Sequence, residues 1–252
     1  MATEKKYEID RFATPAGEIA ITFLGHGSLL FDFQGMAIYV DPFSRVANYA
    51  SLPKADLIFL THEHQDHLDL VALAPIQTRN TTLVLTSACA RQLGTGLVMQ
   101  NGDERDVRGI HVWAVAAYNR VHHRDNGQPF HPKGVGNGYI LVYGDRRIYV
   151  AGDTEDIPEM KGLGKIDIAF LPMNLPYTMT PEMVVEAAKM IRPAVLYPYH
   201  YGQTDPARLV ELLKSEPGIE VRIKPAYWGK RALSSATASA NGRPQSCSSF
   251  QA

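Results

Sequence analysis

The chain has 252 residues, 25 basic against 26 acidic side chains and a formal net charge of −1. Its length and 45% apolar content suit one large domain or two small ones, and its charge balance gives no electrostatic reason to expect nucleic acid or an anionic membrane as partner. Cys89 and Cys247 are too few and too far apart for a disulfide framework or a thiolate metal site. With no apolar signal core in residues 1–10 and no membrane-length apolar run, the expectation is a soluble cytoplasmic protein.

In chain order, short strands come first. Residues 19–24 and 29–33 flank Gly25, His26, Gly27 and Ser28, and 36–40 follows Gln34 and Gly35 and ends at Asp41 and Pro42, the pattern of an antiparallel meander. The apolar run 57–60 reads as a buried strand that spills through Thr61 into His62, Glu63, His64, Gln65, Asp66 and His67. A helix is expected over 68–74, stopped by Pro75, then a strand over 83–85, a helix over 88–93 capped by Ser87, and strands over 97–100 and 111–116. The second half repeats the logic. A hairpin of 139–143 and 146–151 turns at Gly144 and Asp145, a strand covers 166–171, and a helix runs from the Thr180 cap and Pro181 to about 191. A buried strand over 195–199, a helix from Asp205 and Pro206 through Leu213, and a last strand over 219–224 complete it. Two runs of strands, each trailing helices, predict two packed sheets with helices outside, in one domain over residues 1–231. From 232 to 252 Ser, Ala, Thr and Gln dominate, and a disordered tail is expected.

The densest chemistry is the run 62–67, with three imidazoles and the Asp66 carboxylate, beside Glu63, at a strand end in a chain of nine histidines. Imidazole with carboxylate suits zinc, and also manganese or iron. The bland alternative is a polar surface loop, which such clustering disfavours. Two further strand ends carry donors. Asp153 follows Gly152, where a lone aspartate would more often make a turn or a cap. His200 follows the run 195–199, where a lone histidine would more often be structural. Three strands ending in donors favour metal, because adjacent strand ends converge on one edge of the sheets.

Taken in order, several segments resemble the metallo-β-lactamase superfamily. They are residues 24–28 (Leu-Gly-His-Gly-Ser), 40–42 (Val-Asp-Pro), the H-x-H-x-D-H run, 117–119 (Ala-Tyr-Asn), 130–134 (Phe-His-Pro-Lys-Gly), 152–154 (Gly-Asp-Thr), 177–179 (Tyr-Thr-Met) and 198–202 (Pro-Tyr-His-Tyr-Gly). Within the superfamily they are most similar to the metal-dependent hydrolases that include ascorbate-phosphate lactonases and N-acylphosphatidylethanolamine phospholipases. The resemblance covers residues 19–223 and implies an α/β fold, a four-layer αββα sandwich with a metal site at one edge of the sheets. It implies that His62 and His64 hold a first metal, that Asp66, His67 and His200 hold a second, and that Asp153 bridges them. The first metal's third histidine is expected just before Asp153, but Asn119 stands at the matching position. His131 is the preferred substitute, with His122 and His123 as alternatives that read better as exposed loop residues. A ligand truly lost at Asn119 would weaken the first site or leave a single ion. Asp41 either fixes a ligand histidine's tautomer or starts an Asp-Pro turn. His26 either faces the site or fills its turn, and the turn is preferred. Tyr177 and Tyr201 either contact substrate or are core aromatics.

Nitrogen and oxygen donors without cysteine fit two hydrolytic ions ~3.5–4 Å apart, Zn2+ first with Mn2+ or Fe2+ as alternatives, which make hydroxide available near pH ~7. The expected reaction is hydrolysis of a small-molecule ester, lactone, amide or phosphodiester. Asp66 is the candidate catalytic residue, binding metal while it orients the hydroxide or passes on its proton. Glu63, on the opposite side by strand alternation, is not the expected base. Oxygen-reducing di-iron members resemble H-x-E-x-D-H, and His64 stands where they carry glutamate, which favours hydrolysis. An RNA-processing nuclease is disfavoured by the charge, a non-catalytic scaffold by the donor set, and antibiotic defence by the lack of a signal peptide. The fold leaves the substrate open, and the loop 119–138 is expected to border the pocket.

Overall fold

The computed structural model describes residues 7–225. The tail expected over 232–252 and the domain limit at 231 lie outside the described residues. The first sheet takes its strands in chain order: β1 (Glu8–Thr14), β2 (Gly17–Gly25), β3 (Ser28–Phe33), β4 (Met36–Val40), β5 (Leu57–Phe59), β6 (Thr82–Leu85) and β7 (Leu97–Val98). The first four form an antiparallel meander, and from β4 onward neighbours run parallel. The second sheet repeats that plan with β8 (Glu104–Val107), β9 (Ile110–Ala117), β10 (Gly136–Tyr143), β11 (Arg146–Val150), β12 (Ile168–Pro172), β13 (Val195–Tyr199) and β14 (Glu220–Val221). Again the first four are antiparallel and the rest parallel. Parallel neighbours need crossovers. Helices α1 (Leu70–Ile76) and α2 (Ser87–Leu93) serve the first sheet, and α3 (Pro181–Ile191) and α4 (Ala207–Leu213) the second.

The burial pattern builds four layers. In β5, Leu57 and Phe59 join the core between the sheets while Ile58 faces α1 and α2, so a continuous apolar run is buried on both faces. Across the central core, Ile21, Phe23 and Phe31 meet Val112, Leu141, Phe170 and Tyr197 of the second sheet. The outer face of the second sheet packs Ile140, Leu171 and Leu196 against Val184, Ala188 and Leu209 of α3 and α4. This is the αββα sandwich that the motifs implied.

Local differences have local causes. Helix α1 starts at Leu70, not 68, because the Asp69 side chain caps it by accepting from Val71 N at 2.8 Å. It also runs one residue past Pro75, since a proline in the last turn removes one bond and Gln77 N still reaches Leu73 O at 2.9 Å. Thr86, not Ser87, caps α2, accepting from Cys89 N at 3.2 Å. Strands β1 and β8 escaped the pattern reading because charged side chains such as Glu8, Arg11, Glu104 and Arg105 fill their exposed positions. Both are edge strands, where such charges guard against pairing with another chain.

Candidate metal centre

The cluster forms where strands end. The histidine loop leaves β5, Asp153 follows β11 and His200 follows β13. His26 sits in the β2–β3 turn, Asp41 ends β4, and His131 lies in the loop between β9 and β10. His26, Asp41 and His200 all have positive φ (52°, 44° and 46°), an uncommon backbone state for residues other than glycine. Two glycines make room. A side chain at Gly27 would press on the His200 and His67 rings, at 3.2 and 3.3 Å, and one at Gly152 would strike Asn137 O at 2.8 Å.

Six of the seven sequence candidates fall into two groups, with the seventh between them. His62, His64 and His131 converge on one side, and Asp66, His67 and His200, joined by His26, on the other. His62 and His67 also converge with Asp153, one from each group. Asp153 divides its oxygens accordingly. Oδ2 lies 3.3 Å from His131 Nε2 and 4.0 Å from His62 Nε2, whereas Oδ1 lies 3.6 Å from Nε2 of both His67 and His200. His67 Nε2 and His200 Nε2 are only 3.1 Å apart, with their rings stacked. On the other side His62 Nε2 is 3.1 Å from His64 Nδ1. Asp153 Oδ1 and His131 Nε2 are buried with no hydrogen-bond partner, though buried polar atoms are normally paired. Converging lone pairs without donors between them are what a cation satisfies, so the residues fit a metal.

The surroundings fix which nitrogen faces inward. Thr61 donates from N and Oγ1 to Asp41, at 2.8 and 2.6 Å, so its hydroxyl oxygen is left to accept from His62 Nδ1 at 3.0 Å. His67 Nδ1 donates to Asp41 Oδ2 at 2.7 Å. Asp41 is thus the tautomer-fixing partner, while also ending its strand. His131 Nδ1 donates to Asn119 Oδ1 at 2.6 Å. The Asn119 amide nitrogen is committed to Glu155 Oε1 and Tyr177 O, so only its oxygen can face His131. In each case Nε2 is left with a lone pair for the centre.

Electrostatics agrees. Burial alone would lower His67, but Asp153, Asp41 and Asp66 outweigh it and push it up to about 10. Asp41 faces the ring at Nδ1 and Asp66 and Asp153 face it at Nε2, so the inward nitrogen sits where a cation, proton or metal ion, is favoured. Burial, then His67, holds His62 well below the ordinary histidine value, and burial with His131 lowers His64. Burial works against the Asp66 and Asp153 carboxylates, yet neighbouring histidines, His67 foremost for Asp66 and His200 for Asp153, keep both well below the usual range.

His26 corrects the preference for a simple turn residue. It fills the turn and also faces the site, donating from Nε2 to Asp66 Oδ2 at 2.9 Å and lying over His200 with ring centroids 3.7 Å apart. Burial, then His200, pushes it down to about 4. Asn119 is not a lost ligand but the residue that orients His131. His122 does not join the cluster, since its Nδ1 donates to Glu155 Oε1 at 2.7 Å, and His123 turns to Val121 O within its own loop. Glu63 joins none of the groups. Tyr177 lines the cleft beside the centre, whereas Tyr201 donates to Lys224 O outside it. Sequence reasoning missed Glu155, a fully buried acid two residues past Asp153. It accepts from Arg120 N, Val121 N and His122 N as well as from Asn119. Its nearness to Asp153 was the only signal.

Comparison with known proteins agrees with the fold and with dependence on a metal. Residues 20–200 match the family model described as a beta-lactamase superfamily domain. A UPF0173 metal-dependent hydrolase of Pelotomaculum thermopropionicum is 30% identical over 218 residues, 81% of this chain and 95% of that one. Another of the same description from Desulforamulus reducens is 32% identical over 72% of this chain and 84% of its own. A crystal structure from Parabacteroides distasonis, of a protein provisionally named a metal-dependent hydrolase, is 46% identical with a TM-score of 0.83, covering 87% of this chain and 99% of that one. The chain belongs to the metallo-β-lactamase superfamily and, within it, to the UPF0173 metal-dependent hydrolases.

Proposed function

We propose that the protein is a binuclear, zinc-type hydrolase of a small ester, lactone, amide or phosphodiester. His62, His64 and His131 would hold one ion, Asp66, His67 and His200 the other, with Asp153 between. The observation that carries this reading is the division of Asp153, whose Oδ2 is 3.3 Å from His131 Nε2 and whose Oδ1 is 3.6 Å from Nε2 of both His67 and His200. Imidazole and carboxylate donors without thiolate support zinc, with manganese or iron as alternatives. The motif resemblance to ascorbate-phosphate lactonases and N-acylphosphatidylethanolamine phospholipases supports an ester, lactone or phosphodiester bond.

Two divalent ions, when bound, supply a water nucleophile near neutral pH and polarise the oxygen of the bond being cleaved. The chain's own residues do the rest. Asp41, Thr61 and Asn119 hold the ring nitrogens of His67, His62 and His131 towards the centre. His26 donates to Asp66 Oδ2 and fixes that carboxylate, which would orient the attacking water as a hydrogen-bond acceptor. Elemental analysis of wild type and His131→Ala, purified without added metal, tests this. About two ions falling to about one, with loss of hydrolysis, is the expected result. Two ions in both proteins would move the third ligand of the first site elsewhere, and a metal-free wild type of ordinary stability would overturn the reading.

A further inference from the structure

The cleft beside the centre, about 630 Å³, is lined by a single arginine or lysine among the described residues, Arg124. We propose that Arg124 recognises an anionic group of the substrate, a carboxylate or phosphate, while Phe130 and Tyr177 take an apolar or aromatic part beside it. The inference rests on the hydrolase reading and narrows its substrate class.

Arg124 is held ready. It opens a tight turn in which Arg124 N donates to Gln128 O at 2.7 Å and Gly127 N donates to Arg124 O at 2.8 Å, below the bridge between His123 and Pro129. Its Nη2 donates to Phe130 O at 3.2 Å, and the guanidinium carbon lies 5.1 Å from the centre of the Phe130 ring. Both contacts orient the guanidinium without neutralising it. Arg120 and Arg222 pair with carboxylates, but among the described residues Arg124 makes no ion pair. Its remaining N–H donors keep the planar fork that matches a carboxylate or phosphate.

The rest of the cleft supplies the apolar part. Phe130 and Tyr177 meet edge to face at 5.0 Å, and Leu175 and Tyr177 remain 41% and 45% exposed there. Large apolar side chains exposed in a concave site beside a few polar groups are the signature of a small-molecule pocket. The acids of the lining, Asp66 and Asp153, belong to the metal cluster, so a loaded centre together with Arg124 gives the cleft a positive field.

A set of metal-anchored probes isolates the Arg124 term. Aryl hydroxamates carrying a ring carboxylate, a ring phosphonate or a neutral ring carboxamide are titrated calorimetrically into zinc-loaded wild type, Arg124→Gln and Arg124→Met, with zinc content measured in each. Wild type is expected to bind at least one anionic probe tenfold or more tightly than the carboxamide. Both variants should lose that preference while binding the carboxamide within twofold of wild type and keeping the same zinc content. Whether carboxylate or phosphonate is preferred tells which anion the substrate carries. Equal binding of all probes by wild type, or variants that weaken all probes alike or none, overturns the proposal while leaving the hydrolase reading intact. A wild type that takes up no zinc overturns both.

Discussion

Three histidines of the centre are set by groups that never reach it. Asp41, Thr61 and Asn119 each occupy the outer nitrogen of one ring, and such partners typically change metal affinity 10- to 100-fold when removed. Asn119→Ala is therefore expected to weaken the first site by about 10- to 100-fold and leave the second unchanged. Competition with a chromophoric chelator measures both, and unaltered affinity at the first site would remove Asn119 from that role. The run 62–67 was legible in the sequence because its donors are local. The role of Asn119 stayed open for the opposite reason. A residue standing where a ligand is expected looks like a lost ligand until the loop is seen to fold back, with Asn119 N donating to His131 O at 2.9 Å and His131 N to Asn119 Oδ1 at 2.9 Å. His26 was misweighed because two roles were set against each other that one positive-φ residue fills together.

At the scale of elements, the loop between β9 and β10 carries a ligand candidate, the recognition arginine and no regular structure, so something must order it. Glu155 does, by accepting backbone N–H bonds from Arg120, Val121 and His122 at 2.6, 2.6 and 2.7 Å. Glu155→Gln would turn an amide NH2 towards some of these donors, leaving buried groups unsatisfied at about 1–3 kcal/mol. The expected outcome is a stability loss of that size in urea unfolding and faster proteolysis between residues 120 and 128. Burial opposes ionisation of Glu155, but its hydrogen bonds, Asn119 first, hold the carboxyl below the ordinary value. The sign follows from that. Its contribution is present above the usual glutamate pKa of ~4.3 and fades only as pH falls through the lowered value. Wild-type stability on glutamine substitution would mean that the loop is ordered by other contacts. The strands with apolar runs were legible because burial writes itself in hydrophobic periodicity. Strands β1 and β8 were not, because an edge strand with one wet face can be mostly charged and still pair.

Across the described residues the molecule has one plan in both halves, four antiparallel strands followed by three parallel ones, and the candidate metal cluster draws on both. His62, His64, Asp66 and His67 come from the first sheet and Asp153 and His200 from the second, so the site depends on how the sheets sit together. The repetition of plan was legible as strands trailing helices, although the residues do not repeat. The contacts that join the halves were not, because their partners lie far apart in sequence. One such tie is at Asp10 in β1, which accepts hydrogen bonds from Tyr197 of β13, from Lys224 and, at 3.4 Å, from Arg222. Burial raises the Asp10 pKa, but Lys224 and Tyr197 outweigh it and the net shift is downward. A depressed carboxylate stabilises the fold above its unfolded pKa of ~3.9, and that stabilisation is lost as pH falls through the folded value. Asp10→Asn is thus expected to be about 1–2 kcal/mol less stable at neutral pH, with the deficit shrinking below pH ~4. Urea midpoints of the two proteins across that range check it, and their difference cancels the metal loss that both suffer in acid. A deficit that stayed constant into strong acid would mean that residue 10 ties the sheets by shape rather than by charge.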